Sequence, residues 1–92
     1  MSHLVIRLEI RGLVQGVYYR QSMVEQARVL GVTGWVRNRT DGSVEATVAG
    51  IEMAVRALIA WAHQGPEGAI VREVRSFPAE GQFEGFQRLP TA

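Results

Sequence analysis

The segment Gly12-Leu13-Val14-Gln15-Gly16-Val17-Tyr18-Tyr19-Arg20 sets two glycines ahead of an arginine. Glycines let a backbone come close to a ligand, and consecutive N–H groups in such a segment can converge on an anion. A guanidinium at Arg20 can grip two phosphate oxygens at once. The chemistry on offer is recognition of a phosphate-like group. It is not that of a Walker loop, because no Lys-Ser or Lys-Thr follows the glycines. Spacing alone also describes a glycine-rich turn with a solvated arginine, and by itself it favours that plainer reading.

An anion loop needs a strand to deliver it and a helix to receive it. Leu4, Ile6, Leu8 and Ile10 alternate with Val5, Arg7, Glu9 and Arg11, which predicts a half-buried strand ending at Gly12. From Arg20 the period changes: Met23, Ala27 and Leu30 fall at helical spacing and Gly31 terminates the run. Val32 to Arg39 reads as a second strand. The turn Thr40-Asp41-Gly42-Ser43 then leads into a third, with Val44, Ala46 and Val48 on one face and Glu45 and Thr47 on the other. A second helix runs from Ile51 to His63, with an apolar stripe at Ile51, Ala54, Val55, Leu58, Ile59 and Ala62. Residues 64–68 stop it, Ala69 to Phe77 is a fourth strand, and Phe83 to Leu89 adds a short edge strand.

The order β-α-β-β-α-β predicts an α+β fold, the ferredoxin-like α/β sandwich. Its antiparallel sheet has four to five strands, and both helices lie on one face. At 92 residues the chain is expected to form a single domain over 1–92. This fold hosts enzymes, RNA binders and metal carriers, so it does not choose a function.

Composition narrows the choice. The chain has no cysteine, hence no disulfide, thiolate nucleophile or cysteine metal site. A formal net charge of +1 is a poor match for bulk nucleic-acid binding. Arg7 interrupts any signal-like apolar stretch at the start, and Arg56 interrupts the most apolar later stretch. A soluble, cytoplasmic protein is expected. His3 and His63 are placed as incidental, Asp41 as a turn residue, and Ser22 lacks a nucleophile elbow. Trp35 and Trp61 read as packing residues, Tyr19 as packing, and Arg37 and Arg39 as a solvated strand face, while Tyr18 stays open between covering a phosphate and packing the loop.

A second segment changes the odds. Gly34-Trp35-Val36-Arg37-Asn38, followed by Asp41-Gly42-Ser43-Val44-Glu45, comes one helix after the first. Together the two segments resemble the signatures of the acylphosphatase family: a phosphate loop ending in an aromatic and Arg, then a Gly-Trp-Val-x-Asn strand with its hairpin. The likeness continues through Gly50 and the second helix. Met23 departs from it, since the family often has Thr three places after the arginine.

The resemblance implies hydrolysis of the carboxyl–phosphate bond of acyl phosphates to a carboxylate and inorganic phosphate. Arg20 matches the phosphate-binding arginine and Asn38 the asparagine that orients the attacking water. Gly12 and Gly16 match the loop glycines, and Val14, Gln15, Val17, Tyr18 and Tyr19 its anion-cradling backbone. Elementary chemistry agrees with these roles. An acyl phosphate is a mixed anhydride with a good leaving group, so it needs charge neutralisation and an in-line water rather than a covalent nucleophile. No cofactor and no metal are expected. The expected partner is a small acyl phosphate, with no nucleic acid and no membrane, and the expected enzyme is a free-standing monomer. The alternative reading is a non-catalytic anion- or RNA-binding ferredoxin-like module.

Overall fold

The computed structural model describes residues 2–92. Its elements are β1 (His3–Leu13), α1 (Tyr19–Leu30), β2 (Thr33–Asn38), β3 (Val44–Ile51), α2 (Glu52–Gln64), β4 (Ile70–Pro78) and β5 (Phe86–Arg88). The strands form one five-stranded sheet in the order β4-β1-β3-β2-β5. β1 and β3 are interior and antiparallel, with Leu8 opposite Ala46 and Ile10 opposite Val44. These are the strands whose alternation is cleanest in the sequence, and alternation survives best where one face is buried.

The buried face carries Leu8, Ile10, Val36, Ala46 and Val48. Met23 and Ala27 of α1 and Val55 and Leu58 of α2 join the same cluster, so both helices lie on that face. A fully buried side chain of this size contributes about 1.5–3 kcal/mol. Met23, which stands where the resembled family often has Thr, is fully buried in this cluster. α1 ends at Gly31, whose φ of 74° supplies the left-handed cap and whose N–H reaches Ala27 O and Arg28 O.

Four details differ from the sequence-based expectation. β1 does not stop at Gly12: a register shift between Arg11 and Gly12 lets it continue to Leu13 beside β4. Gly12 has φ 135°, and an added Cβ there would lie 2.1 Å from Ile70 O, so the close approach of β4 demands glycine. β5 pairs with β2 in parallel, which makes the sheet mixed rather than wholly antiparallel. β4 ends beside Ile6, at the same end of the sheet where β2 begins, so the crossing chain enters β5 running in β2's direction. Ile51 leaves the expected helical stripe: it is extended at the start of α2 and 47% exposed. Finally, Glu45 and Thr47 lie on the helix-free face of β3 yet are buried.

Arginines explain the burial of Glu45. Arg37 donates to Glu45 Oε1 at 2.9 Å through Nε, Arg7 approaches Oε2 at 3.3 Å, and Arg39 lies 3.6 Å from Oε1. Arg7 also binds Glu9 at 2.8 Å, and that hydrogen bond holds the Glu9 carboxyl below its ordinary pKa. The two outer arginines stack on rings as well, Arg7 at 4.5 Å from the Phe77 centroid and Arg37 at 5.1 Å from that of Trp35.

Candidate active site

The strand β1 hands over to α1 through residues 14–18. Val14 is fully buried and pins the start of this loop to the core. Gly16 at φ 75° and Tyr18 at φ 62° are both left-handed. Such conformations curl a backbone so that successive N–H groups converge on one side. None of the N–H groups from Gln15 to Tyr18 donates to an acceptor among the described residues. Tyr18, a non-glycine residue, carries strain on the order of 1–3 kcal/mol in this conformation. Its neighbour maintains it: Tyr19 is 1% exposed, donates its hydroxyl to Ala62 O at 2.7 Å and sits 5.3 Å from the Trp61 ring. Burial pushes the Tyr19 hydroxyl pKa up, so that this group stays a donor. Tyr18, by contrast, is 83% exposed.

α1 begins without a side-chain cap and without an acidic residue in its first turn. Its first N–H groups and the positive end of its dipole are therefore unmatched by the protein. Arg20 sits in that first turn, and its one hydrogen-bond acceptor among the described residues is Leu89 O at 3.5 Å, a long contact. This guanidinium is held in place but not neutralised.

Asn38 ends β2 and faces the same space. Its side-chain oxygen Oδ1 is buried and has no hydrogen-bond partner among the described residues. Leaving a buried acceptor unpaired costs about 1–3 kcal/mol, and the fold bears that cost at a residue lining the same space as Arg20. The backbone around it is fixed. Asn38 pairs with Val44, its carbonyl accepts from Ala92 N at 3.0 Å, and Leu89 N donates to Val36 O at 2.8 Å. Gln15 straps the loop to the hairpin beyond Asn38, since its Nε2 donates to Arg39 O at 2.8 Å and Ser43 O at 2.9 Å. In that hairpin Asp41 accepts from Ser43 Oγ at 2.6 Å and Ser43 N at 2.9 Å. The Ser43 hydroxyl is the main reason its carboxyl is lowered to about 2, with the Ser43 N–H and Arg11 assisting.

These pieces enclose a pocket of about 290 Å³. Val14, Gln15, Gly16, Tyr18 and Tyr19 line it from the loop, with Arg20 and Asn38 beside them. Two expected loop residues fall outside. Gly12 lies back in the β1 bulge, and Val17 is half-buried and packs against the core. The Gln15 side chain serves the hairpin, so only its backbone is free for a ligand. Arg37 and Arg39 turn to Glu45 instead of the pocket. Gln21 and Arg88 line the pocket without having been singled out in the sequence. Gln21 was legible as the second residue after the aromatic pair. Arg88 was not, because it arrives from a distant strand. The lining contains no carboxylate, and among the described residues no three His, Asp or Glu side chains stand together as a metal-ligand set.

An enclosure with convergent amides, an unneutralised guanidinium and a neutral side-chain amide can hold a tetrahedral oxyanion and orient one water against it. Comparison with known proteins points the same way. Residues 6–88 match the family model described as Acylphosphatase. An acylphosphatase of Albidiferax ferrireducens is 55% identical over 87 residues, covering 95% of each chain. Among solved structures, an acylphosphatase from Coxiella burnetii superposes with a TM-score of 0.92 at 30% identity, over 96% of this chain and 94% of that one. One from Bacillus subtilis gives 0.89 at 27% identity, over 94% of this chain and 98% of that one.

Proposed function

Because the chain belongs to the acylphosphatase family, we propose that it hydrolyses acyl phosphates with Arg20 and the loop amides on the phosphoryl group and Asn38 on the attacking water. The observation that carries the assignment of roles is that Arg20 and Asn38 line one pocket with the uncapped start of α1 and no carboxylate. The phosphoryl oxygens lie against the N–H groups of residues 15–19 and the start of α1, with the guanidinium neutralising the charge that remains. A water held by the Asn38 side-chain amide keeps a lone pair directed at phosphorus. The new P–O bond forms as the bond to the acyl oxygen breaks, and the carboxylate leaves with the bonding electrons.

A neutral amide is not a base at ordinary pH, so the water's proton passes late in the reaction, to an oxygen of the phosphoryl group itself. No covalent enzyme intermediate is needed, since a carboxylate is already a good leaving group. On the same reading the chemistry runs without a metal or cofactor, because guanidinium and amides supply the charge stabilisation. Gly12 and Val17 then shape the loop from behind rather than touch substrate. The protein acts as one domain over 1–92, monomeric and cytoplasmic, on a small acyl phosphate and not on nucleic acid or membrane. Among the described residues no helix is long and apolar enough to cross a membrane.

The test is benzoyl phosphate hydrolysis in excess chelator by the parent protein, Arg20→Ala and Asn38→Ala, each verified as folded. Turnover by the parent that survives chelation and collapses in both variants is the expected result. A folded parent that leaves benzoyl phosphate intact overturns the reading, and unimpaired variants overturn the roles given to the two side chains.

A further inference from the structure

Arg88 is the second guanidinium of the pocket, and nothing in the fold accounts for it. It lines the same space as Arg20 and Asn38. It has no ion pair and no side-chain hydrogen bond among the described residues, whereas Arg7, Arg11, Arg37, Arg39, Arg56 and Arg75 each have a carboxylate partner; Arg28 and Arg72 are unpaired too but lie outside this pocket. Its backbone is nonetheless well fixed. It pairs with Val36 in the parallel register, lies two residues beyond the buried Phe86, and precedes Leu89, whose N–H is bound to Val36 O at 2.8 Å. The period of two puts Arg88 on the same side of the sheet as Phe86, the side where α1 packs. An exposed arginine on a rigid strand edge, aimed at a pocket with no carboxylate in its lining, is a cation held for an anion from outside.

The strand order says which anion. The loop enters the pocket from β1 and Arg88 from β5, with β3 and β2 between them, a span of roughly 14 Å across the sheet. Arg20 crosses that span from the first turn of α1, its guanidinium reaching the carbonyl of Leu89, the residue after Arg88. The loop amides, the start of α1 and Arg20 together already offer a phosphoryl group a full set of donors. On the reading above, the acyl part of the substrate then extends along the pocket toward the Arg88 side chain.

We propose that Arg88 binds a second anionic group on that acyl part, so that the preferred substrates are acyl phosphates whose acyl chain carries its own carboxylate. This deepens the hydrolase reading above and rests on it. Arg88 has no part in bond breaking; it is a specificity residue that touches the far end of the substrate.

The experiment compares benzoyl phosphate with 3-carboxybenzoyl and 4-carboxybenzoyl phosphate, which share one leaving-group skeleton. For wild-type protein, kcat/KM for at least one carboxylated substrate exceeds that for benzoyl phosphate. In Arg88→Ala that ratio falls about tenfold, mostly through KM, the size expected for one charge-assisted contact. Arg88→Lys restores part of it. A ratio that stays at its wild-type value overturns the proposal. If kcat/KM for all three substrates falls together, Arg88 holds the phosphoryl group. If none moves, the side chain faces solvent only. A wild-type protein inert toward benzoyl phosphate itself fails the hydrolase reading and this proposal with it, a failure visible before any variant is compared.

Discussion

The two faces of the sheet each gather arginines, and they use them in opposite ways. On the helix-free face Arg7, Arg37 and Arg39 surround one buried carboxylate, Glu45, and two of them also lie over aromatic rings. In the pocket on the other side, Arg20 and Arg88 have no carboxylate, the first turn of α1 has no cap, and Asn38 keeps a buried oxygen unpaired. The first arrangement satisfies itself and adds to stability. The second is left incomplete at a cost in stability, and an incomplete site is what a ligand can complete.

The largest test of that contrast is Arg20→Ala. Turnover of benzoyl phosphate should fall on the order of 10³-fold or more, by analogy with arginines that stabilise phosphoryl transfer. The unfolding midpoint should barely move, because the fold gives this side chain only one long contact. Asn38→Ala comes next, with a loss on the order of 10²–10³ in kcat and no loss of stability, since it removes a transition-state donor–acceptor contact and a buried unpaired atom together. If either variant lost its activity by unfolding, the pocket would belong with the self-satisfied face.

The opposite pattern is expected for Glu45→Gln. Three half-exposed arginines lose their common carboxylate, so urea unfolding should show a loss of about 1–2 kcal/mol after allowance for solvent screening. Folded protein should keep its turnover. The smallest effect concerns the hairpin that Gln15 holds. Asp41 has a lowered pKa of about 2, so its stabilising contribution is complete above the unfolded value near 4 and fades as pH falls through 2. Asp41→Asn should flatten that part of the acid limb in a urea titration, and an acid limb that stays unchanged would remove Asp41 as a support of the hairpin.

How much of this was legible before the structure depends on how far apart the partners are in sequence. Alternation in β1 and β3, the Asp-Gly turn and the helix-ending Gly31 are local signals, and the elements follow them. The loop with Arg20, and Asn38 one helix later, could be picked out only together, through the resemblance of two short continuous motifs to one family. The strapping role of the Gln15 side chain was not legible, since its acceptors are carbonyls beyond β2. The same holds for Gly12, required by the approach of Ile70, and for Glu45, whose burial depends on arginines from two other strands and the turn. The direction of β5 was hidden because nothing in a three-residue strand records which end of the sheet it enters. Arg88 was hidden with it.

The parallel return of β5 also has a consequence for the order in which the protein acquires its activity. The loop, Arg20 and Asn38 leave the ribosome early and are joined by short connections. Phe86 and Arg88 leave late and must find β2 across the whole sheet, a non-local pairing of the kind that folds slowly. Until that last strand docks, the pocket lacks both Arg88 and the Leu89 carbonyl that Arg20 reaches.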